Sequence, residues 1–124
     1  MLAQRYRFHG YNSLRFVYKN GEAVRSQLFV IKFSHNPRRR HSRVAVVVSK
    51  KIWKRAVGRN RIRRRLYELL RQELPNIRDS LDIVCIVASP DVHAMPSDEL
   101  KRYLHEMFTS ANLYKEGVED DIIK

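Results

Sequence analysis

The residues of this chain best suited to chemistry with a partner form one strongly basic segment between Lys50 and Arg71. It holds ten Lys and Arg residues and one acid, Glu68. Arginine offers a planar pair of donors to a phosphate, and asparagine offers a donor and an acceptor to a base or a 2′-hydroxyl. Ten cations facing one anion would repel one another without a partner. The segment is therefore predicted to bind a polyanion rather than to form only a solvated surface.

A helix over this segment would separate its polar residues from an apolar face. Leucine and isoleucine recur at helical spacing from about Arg59 to Leu74, which predicts an amphipathic helix that ends before Pro75. At about 100° per residue, the opposite side would carry Asn60, Arg64, Tyr67 and Arg71. The residues predicted to contact nucleic acid are Lys50, Lys51, Arg59, Asn60, Arg61, Arg63, Arg64, Tyr67 and Arg71.

The remaining reactive side chains do not form a recognisable catalytic or metal-binding pattern. The five histidines are His9, His35, His41, His93 and His105, and none shows a paired ligand spacing. Asp79, Asp82 and Asp91 could hold Mg²⁺, but their positions favour turns and caps. Cys85 has apolar neighbours, which are typical of a small buried hydrophobe rather than a nucleophile. We predict no catalytic residue and no metal site in the protein.

The elements that must position the basic segment are predicted from periodicity and turn residues. A short helix capped by Asn12 or Ser13 would end at Gly21 through a left-handed residue. Strands are predicted over Gln27–Phe33, Arg43–Ser49 and Asp82–Ala88, with a weaker one within 21–26, and a last helix from Ser97. The prediction is an α+β or α/β sandwich, a central four-stranded sheet with three helices in the order αβββαβα. The strand from Asp82 would lie in the sheet interior because it is apolar throughout.

Composition supports one domain with a polyanionic partner. The chain has 124 residues and a net charge of +12. Residues 1–71 carry 20 − 2 = +18, and residues 72–124 carry 5 − 11 = −6. A single domain over 1–124 is predicted, with an acidic tail at 115–124 that is expected to fray. One cysteine and no apolar stretch of about 20 residues indicate a cytoplasmic protein without a membrane span. The basic cluster from Arg38 to Arg43 is expected to be a loop, with solvation or nucleic-acid contact left open.

The basic segment resembles the signature of the bacterial ribonuclease P protein component. The resemblance is carried by Ser49-Lys50-Lys51, Ala56-Val57 and the run Arg59-Asn60-Arg61-Ile62-Arg63-Arg64, and the order of elements extends it over about residues 5–115. It implies a left-handed crossover between parallel strands, against the usual right-handed rule. It also implies a protein cofactor of a catalytic RNA that cuts the 5′ leader from precursor tRNA.

The resemblance implies how the work would be divided between protein and RNA. Mg²⁺ would be held mainly by the RNA, and the protein would supply no catalytic residue. The expected partners are the catalytic ribonuclease P RNA and precursor tRNA, with no membrane and no obligate protein partner. Arg59, Asn60, Arg61, Arg63 and Arg64 match the motif that contacts the catalytic RNA in the family.

The resemblance also implies a cleft for the single-stranded leader, formed by Leu14, Tyr18, Lys32 and Lys51. This chain departs from the family at several positions: Leu14 and Lys32 stand where relatives often have aromatics, Tyr67 where a basic residue is usual, and Trp53 where a glycine is common, in a segment one residue longer. For Tyr18, packing in the core with Leu14 and Val17 is the alternative.

Other function classes would use part of the same sequence. The same positive charge would also suit a structural RNA-binding protein of the ribosomal type. The motif, not the charge, distinguishes that function from a ribonuclease P protein. An autonomous metal-dependent nuclease would need acids clustered in space. A DNA-binding helix-turn-helix would need a second helix close to the basic one, where strands are predicted instead.

Overall fold

The computed structural model describes residues 11–115. Nearly all of the acidic tail predicted over 115–124 therefore lies outside the described residues. The last described segment is held in place, because the Lys115 N–H donates to the Asn76 carbonyl at 2.7 Å. Tyr114 also bridges to Ile77, and its hydroxyl donates to the buried Glu73 carboxylate at 2.8 Å.

The predicted order of elements is confirmed. The helices are α1 (Tyr11–Asn20), α2 (Ala56–Glu73) and α3 (Ser97–Ser110). The strands are β1 (Glu22–Arg25), β2 (Phe29–His35), β3 (Arg43–Val47) and β4 (Leu81–Val87). Two short 3₁₀ helices, Leu74–Asn76 and Pro90–His93, follow α2 and β4.

The four strands form one mixed sheet in the spatial order β1-β2-β4-β3. β2 is antiparallel to both β1 and β4, whereas β3 and β4 are parallel and are joined by α2. The interior position predicted for β4 is confirmed: six of its seven residues are buried. A parallel pair cannot be closed by a tight turn and needs a crossover, which here is the basic helix itself. The left hand of that crossover stays a prediction from the resemblance.

Several element ends differ from their predicted positions or are formed in a different way. β2 starts at Phe29 because Ser26 makes a turn, in which its hydroxyl oxygen accepts from the Phe29 N–H at 3.1 Å. α1 already begins at Tyr11, so the predicted caps Asn12 and Ser13 lie inside the helix. Gly21 does end α1, but not through a left-handed residue. A side chain there would meet the carbonyl oxygens of Val17 and Phe33 at 2.6 and 2.7 Å, so close approach is the reason for glycine.

The two faces of the sheet bury two separate apolar clusters. On one face, α2 and α3 pack against strand residues such as Ile31, Val44 and Ile83 in the larger cluster. On the other face, α1 places Val17 against Ala45 and Val84. Alternate residues along each strand point to opposite faces, so the strands serve both clusters. The layers are therefore α2 and α3, the sheet, and α1.

Cys85 lies in the larger cluster and is fully buried, as its apolar neighbours predicted. Burial raises the pKa of its thiol to about 12, because the charged thiolate would be desolvated. The thiol stays protonated and acts as a small apolar side chain.

A buried ion pair closes the end of the sheet at which β3 and β4 begin. Arg43 and Asp82 are directly opposite in the register, and the guanidinium donates two hydrogen bonds of 2.9 Å to the carboxylate. Asn36 donates a third bond to Asp82 at 3.0 Å. Asp82 lies in the strand predicted to start with it, but its side chain is a buried ion-pair partner rather than an ordinary strand-end cap. Arg43 does not belong to the exposed basic loop. Sequence spacing could not show this, because 39 residues separate the two partners.

Replacing Arg43 by alanine should destabilise the fold strongly. The change leaves the Asp82 carboxylate buried without its counter-charge, which typically costs about 3–5 kcal/mol. Urea denaturation followed by circular dichroism measures this change in the free energy of unfolding. Arg71→Ala, which removes the exposed pair with Glu68, is the control and should leave stability close to wild type. Equal effects of the two substitutions would contradict the structural role of the Arg43–Asp82 pair.

Candidate nucleic-acid interface

The predicted basic helix exists as α2, and it separates apolar from cationic residues. Ile62, Leu66 and Leu70 are buried against the sheet. Asn60, Arg61 and Arg64 are exposed on the outside of the helix. The apolar anchor therefore holds the Arg-Asn-Arg motif in a rigid helix and leaves its outer side chains accessible.

The motif arginines differ in what holds them. Arg61 and Arg64 have no hydrogen bond or ion pair within the part of the chain that the structure describes. Arg63 donates to the Asn60 amide oxygen at 2.6 Å, which orients both side chains. Arg59 is half-buried and donates to the carbonyls of Trp53 and Lys54 at 3.1 and 2.8 Å. Arg61 and Arg64 are thus the motif cations best placed to meet a partner, while Arg59 fastens the preceding loop.

Two further arginines of α2 have intramolecular roles. Arg65, which sequence reasoning did not assign, donates to the backbone carbonyls of Val92, His93 and Met95. It ties α2 to the segment that follows β4. Arg71 is exposed but donates to Glu68 at 2.6 Å, and this hydrogen bond lowers the pKa of the Glu68 carboxyl. The charge of Arg71, one of the residues predicted to contact RNA, is therefore already partly neutralised by Glu68.

Tyr67 does not lie on the outward side of α2, so its predicted position was wrong. It is half-buried against the larger cluster, and its hydroxyl accepts from the Val46 N–H at 3.1 Å. β3 is an edge strand, so this backbone N–H has no strand partner on that side. The need to satisfy it turns the tyrosine toward the sheet, which a helical-wheel argument could not show.

Trp53 organises the basic loop before α2. Its indole ring stacks on His93 with a centroid separation of 4.0 Å and an interplanar angle of 8°. It also occupies the space where a side chain at Gly58 would project. The loop closes on itself, because the N–H groups of Ile52 and Trp53 both donate to the Ser49 carbonyl at 3.1 Å. The sequence signal for this packing was a glycine inside the helical segment, five residues after the tryptophan.

The loop presents the two lysines predicted to bind RNA. Lys50 and Lys51 are both exposed, between the end of β3 and the start of α2. The Trp53–His93 stack, the Arg59 hydrogen bonds and the Arg65 hydrogen bonds all fix this corner. A loop backbone fixed by such contacts loses little conformational entropy on binding, which favours affinity.

The opposite face of the sheet brings together two of the predicted cleft residues. The Lys32 ammonium lies 4.9 Å from the centroid of the Tyr18 ring. Tyr18 is 42% exposed, so the alternative that it simply packs in the core is wrong. Burial of part of the ring raises the pKa of its phenol, which therefore stays neutral. Leu14 packs against the small α1 cluster beside it.

An apolar floor next to Tyr18 was missed by sequence reasoning. Val30, Ile86 and Val47 are register neighbours on the same sheet face, and all three are half-buried. We call Tyr18, Lys32 and these three residues the Tyr18 patch. Lys51 follows Val47 in the chain by four residues. Period-two alternation along the strands was the available signal for this floor.

Within residues 11–115 there is no group of three or more His, Cys, Asp or Glu side chains arranged to hold a metal ion. No helix in this range is long and apolar enough to cross a membrane.

Comparison with known proteins agrees with this geometry. The family model for ribonuclease P matches residues 2–112. The chain belongs to the ribonuclease P protein family. The ribonuclease P protein component of Pseudanabaena sp. is 36% identical over 91 residues, which cover 71% of this chain and 78% of the relative. That of Oceanobacillus iheyensis is 31% identical over 117 residues, covering 94% and 91%.

Solved structures place the fold in the same family. The ribonuclease P protein of Staphylococcus aureus superposes with a TM-score of 0.78 at 26% identity, over 89% of this chain and 98% of that one. Family membership makes this chain the protein component of a ribonucleoprotein endoribonuclease that processes tRNA. The predicted αβββαβα sandwich is confirmed by the same comparison.

Gly58→Ala should open the Trp53 packing in this ribonuclease P family member. The new methyl group would overlap the indole ring, so the ring must leave its stack on His93. The chain has one tryptophan, so a red shift of its fluorescence emission in the native state reports the change. Alanine normally stabilises a helix by about 1 kcal/mol relative to glycine, and here that gain should be absent.

Val57→Ala is the matched control, because Val57 is 71% exposed at the neighbouring helical position. It should leave the emission maximum unchanged. A Gly58→Ala protein with wild-type emission and higher stability would show that Trp53 does not depend on the glycine.

Proposed function

We propose that the outer side of α2 and its preceding loop bind the catalytic ribonuclease P RNA, while the Tyr18 patch receives the 5′ leader of precursor tRNA. The observation that carries the proposal is the state of Arg61 and Arg64. Both are exposed and lack a partner within the described chain, on a helix whose other face is anchored in the core. The bound RNA would supply the missing counter-charges.

The loop and helix form a pre-arranged basic surface. Lys50 and Lys51 lie in a loop fixed by Trp53, and Arg61 and Arg64 lie on the helix that this loop enters. Asn60, oriented by Arg63, adds an amide able to reach a base edge or a 2′-hydroxyl. Contacts to phosphates give affinity and fix the position of the protein on the RNA. The Asn60 amide adds a contact of another kind, because it can hydrogen-bond a base or a 2′-hydroxyl.

The Tyr18 patch has the chemistry of a single-strand site. Aromatic rings bind unpaired bases by stacking, and nearby cations follow the backbone phosphates. Lys32 covers one face of the Tyr18 ring, so a base would stack on the other face while the ammonium meets a phosphate. Lysine in place of an aromatic residue thus exchanges one stacking surface for a charge. Val30, Ile86 and Val47 would support the apolar edge of the base.

The protein would act by binding and positioning, in the cytoplasm, and the cleavage would be carried out by the RNA. Mg²⁺ held mainly by the RNA would supply the metal-assisted attack of water on the scissile phosphate. The protein's own cations would raise the affinity of the RNA for its anionic substrate and hold the leader away from the cleavage point. No obligate second protein is part of the proposal.

Family membership disfavours a structural, ribosomal-type role that the same charge could serve. Copurification separates the two: the full-length protein is isolated from cells and its bound RNA is sequenced. Enrichment of one large structured RNA together with precursor tRNA supports the proposal. Ribosomal RNA alone would overturn it.

Arg61→Ala and Arg64→Ala should each weaken binding of the catalytic RNA without affecting the fold. Each lost phosphate contact reduces the slope of log affinity against log salt by about 0.7–0.9. Filter binding at several salt concentrations measures both the affinity and the slope. Arg102→Ala, an exposed cation on α3, is the matched control and should behave as wild type.

Thermal denaturation checks that these arginines are not structural. Leu66→Ala creates a cavity in the core and should cost about 2–5 kcal/mol, whereas the arginine variants should melt with the wild type. Arginine variants as unstable as Leu66→Ala would show that the outward assignment is wrong.

Tyr18→Leu and Lys51→Ala should both reduce the preference of the reconstituted complex for precursor over mature tRNA, because Lys51 was predicted to line the leader cleft as well as to bind the catalytic RNA. Loss of stacking costs about 1–3 kcal/mol per base and should leave the salt slope unchanged. Loss of Lys51 should lower the slope by about 0.7, the value for a single strand. Affinities for tRNA with and without a leader provide the measurement. If the preference survives both substitutions, the leader is bound elsewhere.

A further inference from the structure

A second groove lies on the other flank of α1. Val17 points into the sheet, so residues before and after it project to opposite sides of the helix. Tyr18 contacts Lys32 on one side, whereas Phe16 lies on the other and is 57% exposed. Phe16 lines a concavity together with His35, Asn36, Pro37 and Arg38, and the Arg43–Asp82 pair lines it as well. We call this concavity the Phe16 groove.

The loop that walls the Phe16 groove is held in one conformation. Ser42 donates to the Arg78 carbonyl at 2.5 Å and accepts from the Leu81 N–H at 3.0 Å. Ser80 donates to the Arg39 carbonyl at 2.6 Å. The Asn36 N–H donates to the Ser80 carbonyl at 2.7 Å. The loop between β2 and β3 is thereby bonded to the turn before β4, and its side chains project from a fixed backbone.

The charges of this loop are not balanced locally. Arg38, Arg39 and Arg40 are exposed, and none has an ion pair among the described residues. Asp82 is occupied by Arg43 and Asn36. Two other acids, Glu22 and Asp79, line a second concavity that shares Phe16 and His35 with the groove. Arg38 lines the groove beside the exposed Phe16 ring, and Arg39 and Arg40 follow it in the same loop. An exposed aromatic ring next to a cation is the combination that binds single-stranded nucleic acid without sequence preference.

We propose that the Phe16 groove is a second binding site for single-stranded RNA, in which Phe16 stacks a base and Arg38 contacts a flanking phosphate. It is separate from both surfaces of the proposed function. The groove lies where β3 begins, whereas Lys50, Lys51 and the Arg-Asn-Arg motif follow the end of β3. α1 stands between the groove and the Tyr18 patch. An RNA chain longer than the leader contact could therefore engage both flanks of α1.

The test uses the full-length protein and a fluorescein-labelled 12-nucleotide oligouridylate, followed by fluorescence anisotropy. Phe16→Leu keeps an apolar side chain but removes the ring, and it should weaken binding about fivefold or more. Phe16→Trp keeps an aromatic ring at this position and should bind with wild-type affinity. Arg38→Ala should weaken binding and reduce the salt slope by about 0.7. Arg102→Ala, on the opposite face of the sheet, is the charge-matched control and should change neither.

A second measurement separates this site from the proposed function. Affinity of the catalytic RNA should be unchanged by Phe16→Leu and reduced by Arg64→Ala. If one 12-nucleotide strand occupies both flanks of α1, combining Phe16→Leu with Tyr18→Leu should multiply the two losses in affinity, since contacts that do not touch each other add in free energy. If Tyr18→Leu weakens binding of the oligouridylate and Phe16→Leu does not, the Phe16 groove is overturned as an RNA site while the proposed leader site stands.

Photocrosslinking of a 4-thiouridine oligonucleotide, followed by peptide mass spectrometry, locates the contact directly. Crosslinks to Phe16 or His35 support the groove, and crosslinks confined to the Tyr18 side overturn it. An RNA duplex of the same length should compete poorly; equal competition would show plain charge attraction and overturn the stacking site. Light scattering should give the same molar mass for the wild type and for Phe16→Leu. A wild-type dimer that Phe16→Leu dissociates would assign this surface to a second copy of the chain and overturn the RNA site.

Discussion

The burial of β4 on both faces is the constraint on which the rest of the structure depends. β4 lies between an antiparallel and a parallel neighbour, and its side chains alternate between the two apolar clusters. Its parallel pairing with β3 requires a crossover long enough to return to the starting edge of the sheet. That crossover is α2, so the element that completes the core is also the element that carries the densest positive charge. The basic surface is therefore carried by a helix that is anchored in the core.

A helix with this much charge is tolerated because its arginines are used in different ways. Arg65 and Arg59 bond to backbone carbonyls and fasten neighbouring segments, which places their charge against partial negative charges of the protein itself. Arg71 is paired with Glu68. Arg61 and Arg64 keep exposed cationic groups for a partner. The structural arginines hold the Trp53 loop and the segment after β4, and these in turn set where the binding cations stand.

The smaller helix α1 has a comparable dual use on the other face of the sheet. The buried Val17 anchors its centre, and the two aromatic residues that flank this valine both remain exposed. On one side a lysine covers the tyrosine ring, and on the other an arginine-rich loop lies beside the phenylalanine. The surface chemistry of the two flanks is similar, although their residues come from different strands and loops. The small apolar cluster under α1 thus supports both the Tyr18 patch and the Phe16 groove.

The sequence by itself determined the number, order and type of the helices and strands, because hydrophobic periodicity and turn residues are local signals. It also determined the buried character of Cys85, the interior place of β4 and the family, through the Arg-Asn-Arg run. The start of β2 moved from the predicted Gln27 to Phe29 because the Ser26 hydroxyl competed for backbone hydrogen bonds.

The tertiary structure alone decided which polar residues are available to a partner. Tyr67 faces the sheet because an edge strand leaves the Val46 N–H without a strand partner. Asp82 and Arg43 are buried as a pair because β3 and β4 align in register, and Trp53 packs over Gly58 because the 3₁₀ segment brings His93 to it. Each of these contacts joins residues whose encounter depends on strand pairing or helix packing. Helical and strand periodicities describe one element at a time, so they cannot contain that information.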